Sequence, residues 1–423
     1  MYFPAWRLRW GSYKLLLKFV HVEQHYDVVI VGGGIVGAAL AFELLNRRRP
    51  LRLALLEKES TVGQHQTGHN SGVLHSGIYY RPGSLKAQLC VEGARRMAEL
   101  CVSRNLPFLR CGKLIVATEE AELPVLADLH QRGLANGVEG VQLLDDKQLK
   151  QIEPHATGLR AIHCPSTAIL DFQRVTRELV DDVRSRGASV FTGFRVRRIR
   201  KLSPGWRLES IGARVTTAAF VNCAGLHSDR IARLSGMKPE VQIIPFRGEY
   251  FRLSPRGAAL VRGLIYPVPD PRLPFLGVHL TRRIYGEVDA GPNALLAMGR
   301  EAYHKRDFRI SDVLRFLSYR GFWKMARKYW RTATTEMRRS LRESAFITAA
   351  QRLVPELRAE DLKPAGCGIR AQAVADDGSL VDDFRLMEAR GAIHVLNAPS
   401  PAATASLAIA SRLAQMAIES FKL

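Results

Sequence analysis

The apolar run Val28-Val29-Ile30-Val31 passes directly into Gly32-Gly33-Gly34-Ile35-Val36-Gly37, and this junction constrains the fold more than any other stretch. A buried strand followed by glycines at GxGxxG spacing describes a chain that turns sharply into a helix. Gly32 permits the tight turn. Gly34 lets a pyrophosphate approach the backbone without meeting a Cβ, and Gly37 lets the helix Ala38–Asn46 pack closely on the sheet. The N-terminus of that helix offers free N–H groups to phosphates. Twenty positions beyond Gly37, after a second apolar run Leu53-Ala54-Leu55-Leu56, stands Glu57, with Lys58 beside it. A carboxylate there accepts both hydroxyls of an adenosine ribose and repels a 2′-phosphate. The unit therefore predicts a Rossmann-like α/β domain holding an ADP half. It leaves open whether the dinucleotide is FAD or NAD, because both carry that half.

At 423 residues the chain is long enough for two domains, or one with large insertions. Its 62 Lys+Arg against 40 Asp+Glu leave +22, a surplus that suits acidic substrates, an anionic membrane surface or nucleic acid. No nucleic-acid signature (RNP, zinc or helix-turn-helix) accompanies the charge, so nucleic acid is not an expected partner. The six cysteines are scattered without a CxxC pair, which is neither a disulfide framework nor a zinc site, and fits a reducing setting. No apolar run is long enough to span a bilayer. Residues 1–22 are basic, free of acids and amphipathic, with Trp6, Trp10, Leu15, Leu16, Leu17 and Phe19, and read as a mitochondrial presequence, although serine is scarce. A surface helix lying on a membrane is the alternative.

Periodicity predicts helices over Ser84–Arg104 and Glu119–Asn136, and from an Asp171 cap through Val175 to Arg186. Strands are predicted over Lys113–Ala117, Ser189–Phe191 and Phe194–Ile199. Phe220–Asp229 reads as a second strand-to-helix junction, where Ala224-Gly225 allows close approach to a ligand and Ser228 or Asp229 caps the helix. Gln242–Asn293 has the short strands and turn prolines of an antiparallel sheet, and Ala365–Leu423 returns to small-residue turns and a final helix. The order implies a discontinuous dinucleotide domain (26–105, 160–240 and 365–423) interrupted by an antiparallel-sheet substrate domain (106–159 and 241–364).

The densest polar cluster is His65-Gln66-Thr67-Gly68-His69-Asn70-Ser71-Gly72-Val73-Leu74-His75-Ser76-Gly77-Ile78-Tyr79-Tyr80. Small residues interleaved with imidazoles, amides and hydroxyls suit a loop laid against a ligand. His65, His69 and His75 have no carboxylate or cysteine close in sequence, so no metal is expected.

This loop, with SLKAQLCVEG, CGKLIVA, IPFRGEY, YPVPD, PFLGVHLT, GPNALLA, GIRAQAV and NAPSPAATASLAIA, closely resembles the L-2-hydroxyglutarate dehydrogenases, within the D-amino-acid-oxidase-like group of FAD oxidoreductases. The resemblance runs from about Tyr26 to the C-terminus. It implies FAD as cofactor, and oxidation of L-2-hydroxyglutarate to 2-oxoglutarate with electrons passed to a membrane or protein acceptor of unknown identity. A mitochondrial location at the inner membrane is also implied. Gly68, His69, Asn70, Ser71 and Gly72, with Ala224, Gly225, Asn397, Ala398, Pro399 and Ser400, become expected cofactor contacts.

Removing hydride from a carbon bearing a hydroxyl needs a base for that hydroxyl, and two carboxylates need cations. His75 is the first choice for the base, and His279 is its competitor. Arg247 and Arg370, embedded in matching motifs, are the expected carboxylate clamps, and Tyr266 is an expected hydrogen-bond partner of the substrate. A related FAD-dependent amino-acid or hydroxy-acid oxidase is the nearest alternative.

Two stretches depart from the family pattern. Thr281–Ala290 carries charges where an apolar strand is expected, which leaves its strand geometry open. Arg315–Arg342 is strongly basic, with Tyr319, Phe322, Met325 and Tyr329 at helical spacing and Trp323 and Trp330 alongside. It reads equally as an anionic-membrane surface and as a core helix with a solvated outer face.

Overall fold

A computed structural model describes residues 25–48, 50–270, 277–341 and 343–423, without the side chains of 332–343. The expected presequence lies outside the described residues. The strand His25–Val31 sits inside an eight-stranded sheet, flanked on both sides by parallel neighbours, Leu53–Leu56 and Arg214–Asn222. Ser189–Phe191 extends the sheet beyond Leu53–Leu56, and Ala392–Asn397 joins the end of Arg214–Asn222, both in parallel. Val28, Ile30, Leu53 and Leu55 face helices Ile35–Arg47, Phe172–Ser185 and Ser406–Phe421, while Val29, Val31, Ala54 and Leu56 pack on the opposite side with Phe194, Trp206 and Phe220. Burial on both faces explains why these strands read as continuous apolar runs and not as alternating ones.

A second, nine-stranded sheet is built on the long antiparallel ladder between Val241–Leu253 and Leu362–Ala375. It continues through Val288–Gly291, His279–Arg282, Leu264–Pro267, Lys113–Ala117 and Arg160–Cys164 to Gln142–Leu144. All its pairings are antiparallel except Leu264–Pro267 on Lys113–Ala117. A small third sheet, Val73–Leu74 with Ala168–Leu170 and Phe108–Arg110, accompanies these two.

The strand pairing moves two of the expected boundaries. Arg160–Cys164 belongs to the substrate-side sheet, and so does the chain up to Ala375, because their partners Lys113–Ala117 and Val241–Leu253 lie there. Val241–Leu253 is also one strand of 13 residues, not several short ones. Of the predicted strand Phe194–Ile199, only Arg198 and Ile199 fall in a strand, Arg198–Lys201. Phe194 N–H instead donates to Glu57 O at 2.8 Å, and Phe194 and Val196 line a cavity, which is why they alternate. The helix expected from Glu119 begins at Leu123, after a 3₁₀ turn at Glu120–Glu122. Asp171 does cap Phe172–Ser185, accepting from the N–H groups of Gln173 and Arg174. Neither Ser228 nor Asp229 caps Ser228–Leu234. Ser228 Oγ donates to Leu396 O, and Asp229 is committed to arginines.

Thr281–Ala290 holds its geometry as two strands around a turn, with its charges met: Arg252 Nε lies 3.1 Å from Asp289, and Arg283 Nη1 donates to Asn70 O at 2.6 Å. The basic segment forms helix Arg320–Leu341, kinked at Tyr329. Phe322 and Met325 pack into a cluster with Ile244, Phe316 and Val374, while Trp323 and Trp330 are exposed.

Candidate functional site

One cavity of about 510 Å³ runs between the two large sheets. At one end it is lined by Gly32, Gly34, Glu57 and Lys58, and at the other by His75, Tyr250, Tyr266, His279 and Arg370. The wall between them includes His69, Asn70, Ser71, Ala224, Gly225, Asn397, Ala398 and Ser400. Most of the residues singled out in the sequence therefore meet around a single space.

At the glycine end, Gly32 adopts φ +113°, and a Cβ there would lie 2.4 Å from Cys223 O. A Cβ on Gly37 would lie 2.0 Å from Gly32 O, so this position permits the helix to close on the strand and does not itself line the cavity. The Glu57 carboxylate is aimed from both sides. Its Oε2 accepts Gly33 N–H at 2.8 Å and its Oε1 accepts Glu59 N–H at 2.9 Å. Thr67 Oγ1 accepts the Ile35 N–H in the first turn of the helix. Asn70 binds the carbonyls of Gln66 and Thr67 and accepts Gly72 N–H, which fixes the histidine loop. Gly68, Gly72 and Pro399, expected as cofactor contacts, do not line the cavity. Gly72 instead takes φ +73° where the loop passes Leu170 O.

Glu59, His65 and Glu301 bring ligand atoms within 4.8 Å of one another, so the histidine loop does have carboxylates near it in space. The position between them is taken by an ammonium. Lys58 Nζ lies 2.8 Å from Glu301 and also bonds Glu59 and His65. A fixed cation there supplies the charge that a metal would otherwise bring.

At the other end, His75 and His279 both line the cavity. Burial pushes His279 down to about 4, helped by Lys113 and Arg370 and opposed by its bond to Gly277 O. That bond, from Nδ1 at 2.9 Å, leaves Nε2 as the lone-pair nitrogen. The ring stacks on Tyr266 with centroids 3.9 Å apart. His75 is pushed down to about 3 by burial, then by Lys113, His279 and Lys86. Its Nδ1 has no hydrogen-bond partner, and its backbone is anchored by Thr404 Oγ1 and Cys90 Sγ.

The two expected clamps differ. Arg370 is exposed and lines the cavity, near the phenols of Tyr250 and Tyr80. Arg247 also lines the cavity but is buried, with its charge met by Glu249 at 3.2 Å and His304 O at 2.9 Å. Its two-residue spacing from Glu249 puts both on one face of the strand, so the triplet Arg247-Gly248-Glu249 carries the signal for this pairing. Tyr250 and Lys113 were missed. Tyr250 follows that same triplet, and Lys113 opens a strand whose every residue is buried, an apolar setting in which a lysine is out of place.

A glycine turn that a Cβ would fill, a doubly anchored acid beyond it, and a long cavity ending at two imidazoles and an arginine suit an FAD molecule lying along the whole length. The family model described as "FAD dependent oxidoreductase" matches residues 27–416. The L-2-hydroxyglutarate dehydrogenase of Indibacter alkaliphilus is 44% identical, over 94% of this chain and 100% of its own length. The mitochondrial L-2-hydroxyglutarate dehydrogenase of Homo sapiens is likewise 44% identical, over 94% of this chain and 90% of its own. Among solved structures, an L-alpha-glycerophosphate oxidase from Mycoplasma pneumoniae with FAD bound superposes with a TM-score of 0.75 at 21% identity, covering 95% of each chain. The chain belongs to the FAD-dependent oxidoreductase family, in the group formed by the L-2-hydroxyglutarate dehydrogenases. FAD is its cofactor.

Proposed function

We propose that this protein oxidises L-2-hydroxyglutarate to 2-oxoglutarate and passes the electrons to a separate acceptor. The observation that carries this reading is the meeting of His75, His279, Tyr266 and Arg370 at the end of the cavity remote from Gly32 and Glu57. Arg370 presents a guanidinium fork suited to one substrate carboxylate. His75, which lines this end of the cavity, takes the hydroxyl proton, while His279 and Tyr266 form a stacked wall that holds the reacting carbon. Bound FAD supplies the hydride acceptor. A substrate with two negative charges favours the protonated imidazole and so offsets the low basicity that burial imposes on His75. Arg247 contributes by fixing the His304 loop and Glu249, not as a bare cation.

The mitochondrial names of relatives and the leader-like residues 1–22 support a mitochondrial location. Met298, Phe308, Ile310, Leu314, Leu317, Trp323 and Trp330 are all exposed, and Lys305, Arg306, Arg309, Arg315, Arg320, Lys324 and Lys328 are interspersed among them. An apolar rim with interleaved cations suits an anionic lipid surface, where a membrane-borne acceptor would be met. No helix among the described residues is long and apolar enough to cross a membrane. The reading is tested by incubating the purified holoenzyme with L-2-hydroxyglutarate and an artificial electron acceptor and measuring 2-oxoglutarate. Stoichiometric product is expected. Acceptor reduction only with amino acids or glycerophosphate would replace this substrate with another.

A further inference from the structure

Lys113 is a buried lysine at the start of strand Lys113–Ala117. It is 1% exposed, its Nζ has no hydrogen-bond partner, and no described carboxylate pairs with it. Its neighbours are the ring faces of Tyr79 at 4.5 Å and Tyr266 at 5.2 Å, together with the thiols of Cys90 and Cys164. Burial pushes Lys113 down from the ordinary lysine range, so its charged form is expensive to the fold until an anion comes near, and an apolar side chain of the same length would serve stability better. Its place is therefore explained by what comes near it.

One of these neighbours, Tyr266, belongs to the reactive end of the cavity. Tyr266, on which the ammonium rests, stacks on His279, and the charges of Lys113 and of both histidines are coupled. The other charged groups acting on these imidazoles are Lys86, whose ammonium is met by Asp382, and Arg370. Arg247 is balanced by Glu249. A dicarboxylate entering this end therefore meets Arg370 directly and, behind the Tyr266–His279 wall, Lys113, with which no described carboxylate pairs. In a low-dielectric interior such a charge acts through the intervening rings.

We propose that Lys113 is a specificity-determining positioning residue, an ammonium behind the cavity wall that balances the second carboxylate of a dianionic substrate. The inference rests on the reading above, that the substrate is a 2-hydroxy dicarboxylate. It predicts that the enzyme distinguishes L-2-hydroxyglutarate from its isosteric 5-amide by the charge alone, and that this discrimination depends on Lys113.

The test measures kcat/KM for the acid and the 5-amide with wild-type, K113M and K113R holoenzymes, with flavin content and melting temperature recorded for each. Wild type is expected to favour the acid at least about 10-fold. K113M should lose about 10- to 100-fold on the acid and less than about 3-fold on the amide, while K113R keeps the preference. K113M should retain flavin and melt no lower than wild type, since it removes an unpaired buried charge. An equal loss on both substrates, a preference that survives in K113M, or a K113M protein that fails to fold or hold flavin would each overturn the inference. So would a wild-type enzyme active on the acid but indifferent to the amide. A wild-type enzyme inactive on L-2-hydroxyglutarate would instead overturn the proposed function.

Discussion

Removing the Arg300 guanidinium should loosen the join between the two halves of the molecule. Arg300, in the loop after Leu295–Leu296 of the substrate-side sheet, is 2% exposed and reaches Asp229, which is fully buried in helix Ser228–Leu234 beside the dinucleotide sheet. Its Nη2 lies 2.8 Å from Asp229 Oδ2, and its Nη1 bonds both Asp229 Oδ1 and Leu226 O. Burial alone would raise the Asp229 carboxyl, but the bonds and charges of Arg300 and Arg233 outweigh it and hold the group at about 2. Arg300→Met leaves that carboxylate with Arg233 alone, and breaking a buried pair costs about 3–5 kcal/mol. For 423 residues melting together, the unfolding entropy is about 0.9 kcal/mol/K, so the melting temperature should fall by about 3–6 °C. The assay is calorimetry of the holoenzyme in excess FAD, extended to D229N and to the D229N/R300M double variant. The double variant should lose less than the sum of the two singles, because neither charge is then left alone. An R300M protein melting within about 1 °C of wild type, or strict additivity, would refute the reasoning.

Three further outcomes follow from the same geometry. Gly37→Ala sets a Cβ where the Gly32 carbonyl stands 2.0 Å away, so G37A should purify without flavin or not fold; a yellow, active G37A would contradict the packing. His279 and His394 are buried and held at about 4, below their unfolded value near 6.5, so the unfolded chain binds more protons between those limits. Stability should be full above about pH 6.5 and fall as the pH drops toward 4, by up to about 1.4 kcal/mol per unit for each ring; Asp229 adds a further loss between about pH 4 and 2. Denaturant titrations at pH 7, 5.5 and 4.5 check this, and a flat profile would count against it. Finally, replacing Arg327, Lys328 and Arg331 by Gln should reduce co-sedimentation with cardiolipin vesicles several-fold, more at low salt than at high; unchanged sedimentation would remove the membrane reading.

What could be read in advance was whatever depends on local pattern. The strand into Gly32, the helix beyond it and Glu57 lie within one βαβ unit, where spacing alone dictates geometry. Asp171 likewise announced its cap. What escaped depends on partners far along the chain. Arg160–Cys164 joins the substrate-side sheet because Lys113–Ala117 lies beside it, and nothing local to residue 160 says so. Phe194 and Val196 alternate as a strand would, yet they serve as a cavity wall. Asp229 has the composition of a helix cap, and only the fold brings Arg300 to it. At the site, motif position singled out His75, His279, Tyr266 and Arg370, and these line one cavity. It did not reveal that Arg247 is already neutralised, or that a lysine in an all-buried strand lies behind the wall.

The most direct test of the account is anaerobic mixing of the yellow holoenzyme with L- or D-2-hydroxyglutarate, followed at the flavin absorption band. The account predicts rapid bleaching by the L form, none by the D form, and loss of that bleaching in H75Q by about 100-fold or more while flavin content is kept. Bleaching by neither enantiomer, or equally by both, would contradict it.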